Sequence, residues 1–239
     1  GKNLSVSAQK GGNVPSHAGY VVKQKRTPLM QKVTVQANTK KKMTPLRSEA
    51  SAAYQHYERK NIKIRISAQA KSFTNLKQIQ YKFVKKGASK GSVPYKNGTT
   101  LTIKDGMIGR VYVRFVTDAG IDEMQLPGIA VDKKAPTKTK IKVNRSGIKT
   151  LKTSTKTSYN KKIKKSAKFV FSASYGISGK SKTQYKIVPK GKKASKYRWK
   201  TANKITYKKK NKKVSIYARF IDKCGNITQR KSSGFYITK

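Results

Sequence analysis

The sequence predicts an all-β protein built as two tandem β-sandwiches. Three observations carry that prediction: an internal repeat about a hundred residues long, alternation of lysine with apolar residues at period two, and turn signals recurring roughly every ten residues. The repeat is seen by sliding the chain on itself. Gln80–Gly87 (QYKFVKKG) returns as Gln184–Gly191 (QYKIVPKG), Ile64–Ala68 aligns with Phe169–Ala173, and Tyr112–Phe115 with Tyr217–Phe220. Tyr54 falls opposite Tyr159, and Tyr95 opposite Trp199, with the order kept throughout.

Taken from the beginning, residues 1–27 form a leading segment whose Gly19–Pro28 stretch resembles the end of a repeat. The first module is expected over 28–133. Within it Ile62, Ile64, Ile66 and Ala68 alternate with Lys63, Arg65 and Ser67, so one strand face is core and the other water. Val111, Val113 and Phe115 repeat the pattern against Tyr112 and Arg114. Ser48–Tyr57 reads as one or two helical turns inserted after the first strand. The Lys86–Ser92 stretch lacks phosphate-loop spacing and has no helix after it, so it reads as a hairpin connection. Asp122 and Glu123 are expected on a turn.

The second module is expected over 134–239. Proline at 136 suits the joint, because it donates nothing to a ladder and holds its predecessor extended. Lys138, Lys140 and Lys142 alternate with Thr139, Ile141 and Val143, and Val214, Ile216, Ala218 and Phe220 alternate with Ser215, Tyr217 and Arg219. Asn and Gly in Lys96–Thr99 and Asn in Lys208–Asn211 supply the positive φ of tight turns. About seven short strands per hundred residues is the count of an immunoglobulin-like sandwich.

Charge is the compositional anomaly. In 239 residues, 58 Lys and Arg face 8 Asp and Glu, a formal +50. Ten of the basic residues are Arg and 48 are Lys, which favours hydrated point charges over the planar bidentate fork that reads one anion geometry. Up to and including Lys133 there are 25 basic and 7 acidic residues, and beyond it 33 and 1. Some of this lysine protects sheet edges from pairing, but acids would protect them equally and balance the charge.

Two motifs resemble the immunoglobulin-like tandem repeats of secreted and surface proteins of Firmicutes. Phe220–Asn226 (FIDKCGN) is similar to the strand and D-x-A-G-N turn of those repeats through Asp222, Gly225 and Asn226, and Val131–Thr137 (VDKKAPT) is similar to their V-D-T-T-A-P-T joint. The first module departs from the turn motif, with Thr117 and Ile121 in place of Asp222 and Asn226, so its turn is expected to be reshaped. The resemblance implies immunoglobulin-like or fibronectin III-like sandwiches, surface display and ligand presentation.

No catalytic, cofactor or metal site is expected. The two histidines, His17 and His56, stand in the atypical N-terminal portion, and a calcium site from Asp118, Asp122 and Glu123 lacks oxygens in a positive field. Cys224, the only cysteine, excludes an intrachain disulfide and reads as a small half-buried residue beside the turn glycine. A Lys–Asn crosslink would need Asp222 as its buried carboxylate. No apolar run reaches the ~18 residues of a membrane span. Export, with the leader already removed, is the expected localisation: extracellular or on the cell surface.

The leading expectation is polyanion binding by Lys161, Lys162, Lys164 and Lys165 together with Lys208, Lys209, Lys210, Lys212 and Lys213. The partner would be an anionic polysaccharide or cell-wall polymer such as teichoic acid, or a sulfated or sialylated host glycan. Tyr197 and Trp199, flanked by Lys196, Arg198 and Lys200, are candidate aromatic contacts, but alternation puts both on one face and core packing is the preferred reading. Other readings are an adhesin for host glycoprotein or immunoglobulin, and a nucleic-acid-binding polycation, which scarce arginine disfavours.

Overall fold

A computed structural model describes residues 28–47, 53–143 and 147–239. The leading segment 1–27 and the first half of the expected helical insertion lie outside these residues. The described part of that insertion is not helical: Tyr54–Glu58 is a strand, because its alternating residues bury His56 and Glu58 while Gln55 stays in water.

The first sandwich contains β1 (Met30–Ala37), β2 (Tyr54–Glu58), β3 (Ile62–Ala70), β4 (Leu76–Lys85), β5 (Lys96–Asn97), β6 (Thr100–Ile103), β7 (Ile108–Thr117), β8 (Gly120–Gln125) and β9 (Gly128–Val131). One sheet runs β1-β3-β6, and the facing sheet runs β2-β9-β7-β4-β5 with β8 on β7. β2 pairs β9 in parallel, while the other pairings are antiparallel.

The second sandwich contains β10 (Thr137–Val143), β11 (Thr150–Leu151), β12 (Lys161–Lys164), β13 (Ala167–Ser174), β14 (Lys180–Pro189), β15 (Lys200–Thr201), β16 (Lys204–Tyr207), β17 (Val214–Asp222), β18 (Ile227–Ser232) and β19 (Phe235–Thr238). Its sheets run β10-β13-β16 and β11-β18-β17-β14-β15, with β19 joined to β17 and in parallel to β12. A three-stranded sheet facing a larger one, with one parallel pair closing each larger sheet, makes both units immunoglobulin-like sandwiches.

The alternation read from sequence places the cores. Ile62, Ile64, Ile66, Val111, Val113 and Phe115 are buried in one cluster, and Ile141, Phe169, Phe171, Ile216 and Phe220 in the other. Each such side chain contributes roughly 1.5–3 kcal/mol on leaving water. The repeat extends to contacts: an added Cβ at Gly128 would meet the Tyr54 ring at 2.7 Å, and one at Gly234 would meet the Tyr159 ring at 2.3 Å. Glycine therefore stands where a tyrosine lies on the backbone, at the first residue of β9 and immediately before β19.

Asp122 and Glu123 are on β8, not on a turn, and alternation sends them to opposite faces. Asp122 accepts from the Leu29 and Met30 N–H groups at 3.1 Å each and pairs with Arg47, so it pins the start of β1. The turn before β8 is reshaped as expected: the Thr117 hydroxyl donates to Gly120 O at 2.9 Å and accepts from Ala119 N at 3.2 Å.

Candidate polyanion-binding surface

Both lysine clusters meet at β19. Lys161–Lys164 is β12, whose Ile163 pairs Ile237, and Lys210 pairs Ile237 as well. Because a residue has one ladder partner per side, the two clusters flank β19. Neighbouring strands are ~4.8 Å apart, so the clusters run about 10 Å from each other, close to one Debye length at physiological salt. Ile163 turns into the core, leaving Lys162 and Lys164 exposed, and Lys165 ends the strand at φ 61° with its N–H on Thr238 O. On the other flank Asn211 (φ 57°) turns the 208–213 loop, all of whose lysines are exposed.

Part of that loop overhangs a groove of about 730 Å³ at the open side between the two sheets. Lys208, Lys209 and Lys212 line it with Arg198 and Lys200, over a floor that includes Tyr185, Tyr197 and Tyr207. Tyr185 stacks on Phe171 at 6.0 Å, and Tyr207 meets Phe235 edge-on at 5.6 Å, so both rings are fixed from behind by the core. Burial pushes the Tyr207 phenol up from its ordinary range, keeping it a neutral donor. Lys210 and Lys213 do not line the groove; Lys213 Nζ lies 5.8 Å from the Tyr236 ring instead.

The core reading of Tyr197 and Trp199 is corrected. Both are half-buried and outside the apolar cluster, because the segment entering β15 runs along the sheet's edge. Trp199 covers cations: Lys186 Nζ is 4.5 Å and Arg219 Cζ 4.7 Å from its ring centre. Lys186 also donates to Ala194 O at 2.6 Å, and burial, helped by the positive Arg219, holds its pKa below the usual lysine value.

The first sandwich repeats this cluster with Tyr95 in place of Trp199, Lys90 in place of Ala194, and an added acid. Tyr95 sits 4.4 Å from Lys82 Nζ and 4.0 Å from Arg114, and Lys82 donates to Lys90 O at 2.6 Å. Here Glu123 completes the set, accepting from Tyr95 Oη at 2.6 Å and from Lys90, with Arg114 Nε at 3.5 Å. Burial alone would raise the Glu123 pKa, but the Lys90 and Tyr95 hydrogen bonds and the cations beside it hold it below the usual carboxylate value. The ladder puts Gln229 opposite Arg219 where Glu123 is opposite Arg114. Sequence reading missed Lys186, Arg219, Tyr185 and Tyr207; the repeat offset from Lys82 and Arg114 was the signal that could have found the first two.

The remaining candidates take structural positions. Asp222 Oδ1 and Oδ2 accept from Asn226 N and Nδ2 at 2.8 Å each, making it the turn residue its sequence context suggested. The Asn226 amide also donates to Asp132 O at 2.7 Å. Cys224 is fully buried, and burial pushes its thiol up to about 11. Among the described residues no group of three or more His, Cys, Asp and Glu could hold a metal ion, and no helix is long and apolar enough to cross a membrane.

No protein-family model matches the chain, and no curated protein does. Among solved structures it is similar to the fibronectin(III)-like modules of Clostridium thermocellum CbhA, with 14% identity, a TM-score of 0.34, and coverage of 82% of this chain and 94% of that one. It is also similar to the FN1-FN3 domains of chicken CNTN1, with 11% identity, a TM-score of 0.33, and coverage of 76% and 64%. At such scores the fold assignment rests on the chain's own ladders: this is an all-β protein of tandem immunoglobulin-like, fibronectin III-like sandwiches.

Proposed function

We propose that the chain is a non-enzymatic, exported or surface-displayed binding protein of the Firmicutes tandem-repeat type, and that its second sandwich holds anionic polymers. The observation that supports this reading is the placement of Lys161, Lys162, Lys164 and Lys165 and of Lys208–Lys213 on the two flanks of β19. The only carboxylate side chain beyond Lys133, Asp222, is 1% exposed and spent on Asn226, so no acid side chain of this sandwich offsets the lysines from its surface. Each lysine that meets a phosphate, sulfate or carboxylate releases a counterion, so affinity is broad and falls steeply with salt.

Titration with a wall polymer and with heparin between 50 and 500 mM salt (order-of-magnitude range) tests this. A log–log slope of about −4 or steeper is expected, made shallower by roughly 0.7–0.9 for each contacting lysine changed to serine. Binding indifferent to salt sinks the reading.

A further inference from the structure

The same side opening exists in both sandwiches, and the chain has built it differently in each. In the first it is about 460 Å³, lined by Val93, Pro94, Ile103 and Met107 together with Tyr81, Lys82, Lys85 and Lys96. In the second it is about 730 Å³. The ladders make the correspondence definite: Lys96 pairs Tyr81 as Lys200 pairs Tyr185, and Ile103 pairs Ile62 as Tyr207 pairs Ala167. Val93 and Tyr197 each follow a one-turn 3-10 helix, with matching backbones at φ −118°, ψ 122° and φ −112°, ψ 129°. At corresponding places Tyr207 stands where the first sandwich has Ile103 and Tyr197 where it has Val93, and the connection 208–213 is longer than 104–107 and brings lysines over the opening.

These differences share a chemical direction. Val93 and Ile103 have tyrosines as counterparts, while Tyr185 matches Tyr81. Tyr185 and Tyr197 are half-buried and offer apolar ring surface with a polar edge, whereas Tyr207, 5% exposed, backs them from the core. Around them stand Arg198, Lys200, Lys208, Lys209 and Lys212, with no acid in the lining. The volume falls within the ~300–1,000 Å³ of small-molecule sites. A hollow on the first sandwich is slightly larger at about 780 Å³, but Lys63 and Arg65 are its only cations and Tyr81 its only ring.

We infer that the Tyr185–Tyr197–Tyr207 groove is a subsite for anionic sugar rings, with sulfate or uronate groups held by Lys200, Lys208, Lys209 and Lys212. The inference rests on the anionic-polymer reading and adds selectivity for rings, which loose lysine clusters do not supply. An extended polyphosphate satisfies the lysines and leaves the tyrosine floor unused. A sugar ring uses both.

The test is calorimetry on the full chain at fixed salt with a heparin octasaccharide, an oligogalacturonate, and linear polyphosphate and single-stranded oligonucleotide of matched charge. Tyr197→Val is the variant, since valine stands on the same backbone at position 93. At least one saccharide is expected to bind about tenfold more tightly than polyphosphate, and Tyr197→Val to remove that advantage while leaving polyphosphate binding unchanged. The octasaccharide and oligogalacturonate arms separate sulfate from uronate recognition. Equal binding of all probes, insensitive to Tyr197→Val, overturns the subsite while the polymer reading stands. An oligonucleotide that binds as tightly with the same Tyr197 dependence overturns the sugar assignment. Failure of every probe to bind at low salt overturns both.

Discussion

Glu123 accepts from Tyr95 and Lys90 and faces Arg114, whereas Gln229 stands opposite Arg219 in the second sandwich. Its side chain is 30% exposed, so the charge is partly desolvated and three donors depend on it. Glu123→Gln keeps the shape and removes the charge, making the first cluster resemble the second. It is expected to destabilise the protein by about 1–2 kcal/mol at neutral pH, the scale of a charged hydrogen bond weakened but not left empty. Because the folded-state pKa lies below the unfolded one, this stabilisation is complete above the unfolded value near 4.3 and is lost as pH falls through the folded value. Urea titrations of both proteins should therefore differ at pH 7 and converge in strong acid. A difference that persists there would assign Glu123 a packing role instead.

At the scale of elements, β2 carries a buried histidine whose protonation state bears on the strand's stability. His56 is 2% exposed and its Nε2 has no hydrogen-bond partner. Burial lowers its pKa and Lys41 lowers it further, against the opposing pull of Glu58. The neutral ring is therefore the folded form, and its contribution is intact above the unfolded pKa near 6.5 and erodes as pH drops toward the lower folded value. The melting temperature should fall between pH 7.5 and 5, and His56→Leu should flatten that fall (order-of-magnitude window). β2 is also where sequence reading failed: Ser48–Tyr57 has the alanines of a helix, but pairing with β9 decides the fate of its second half. Strands β3, β7, β13 and β17 were legible because each buries one face, so period two is written into Ile62–Ala68 or Val214–Phe220. The groove was only half legible. Lys208, Lys209, Lys212 and Tyr197 stand out by composition, but Tyr185 packs against the core and Tyr207 belongs to it, so neither is marked as lining an edge until the fold is known.

For the whole molecule, the question is how two strongly cationic units stay attached in one arrangement. We propose the division 28–133 and 134–239; no ladder joins strands before Val131 to strands after Thr137 among the described residues. What bridges them is the turn motif. Asn226 Nδ2 donates to Asp132 O, the Asp132 carboxylate accepts from Ser178 N at 3.2 Å and Lys134 N at 3.0 Å, and Cys224 Sγ donates to Ala130 O at 3.6 Å. Within the second unit Thr228 Oγ1 donates to Pro136 O at 2.6 Å. Two loops of the second sandwich thereby grip the joint, and Asp132 and Asn226 are 2% and 7% exposed. The D-x-x-G-N residues thus do more than shape a turn: Asp222 aims Asn226, and Asn226 holds Asp132, the residue that follows the preceding module's last strand. Asn226→Ala removes the amide and leaves the Asp132 carbonyl and Asp222 carboxylate without it, costing about 1–3 kcal/mol locally. Electrostatic repulsion between the units would then meet a weaker joint. Small-angle scattering at low salt should show a broader distribution of inter-module distances for the variant, narrowing again as added salt screens the charge. Identical scattering curves for the two proteins would mean that the joint is held by something other than this amide.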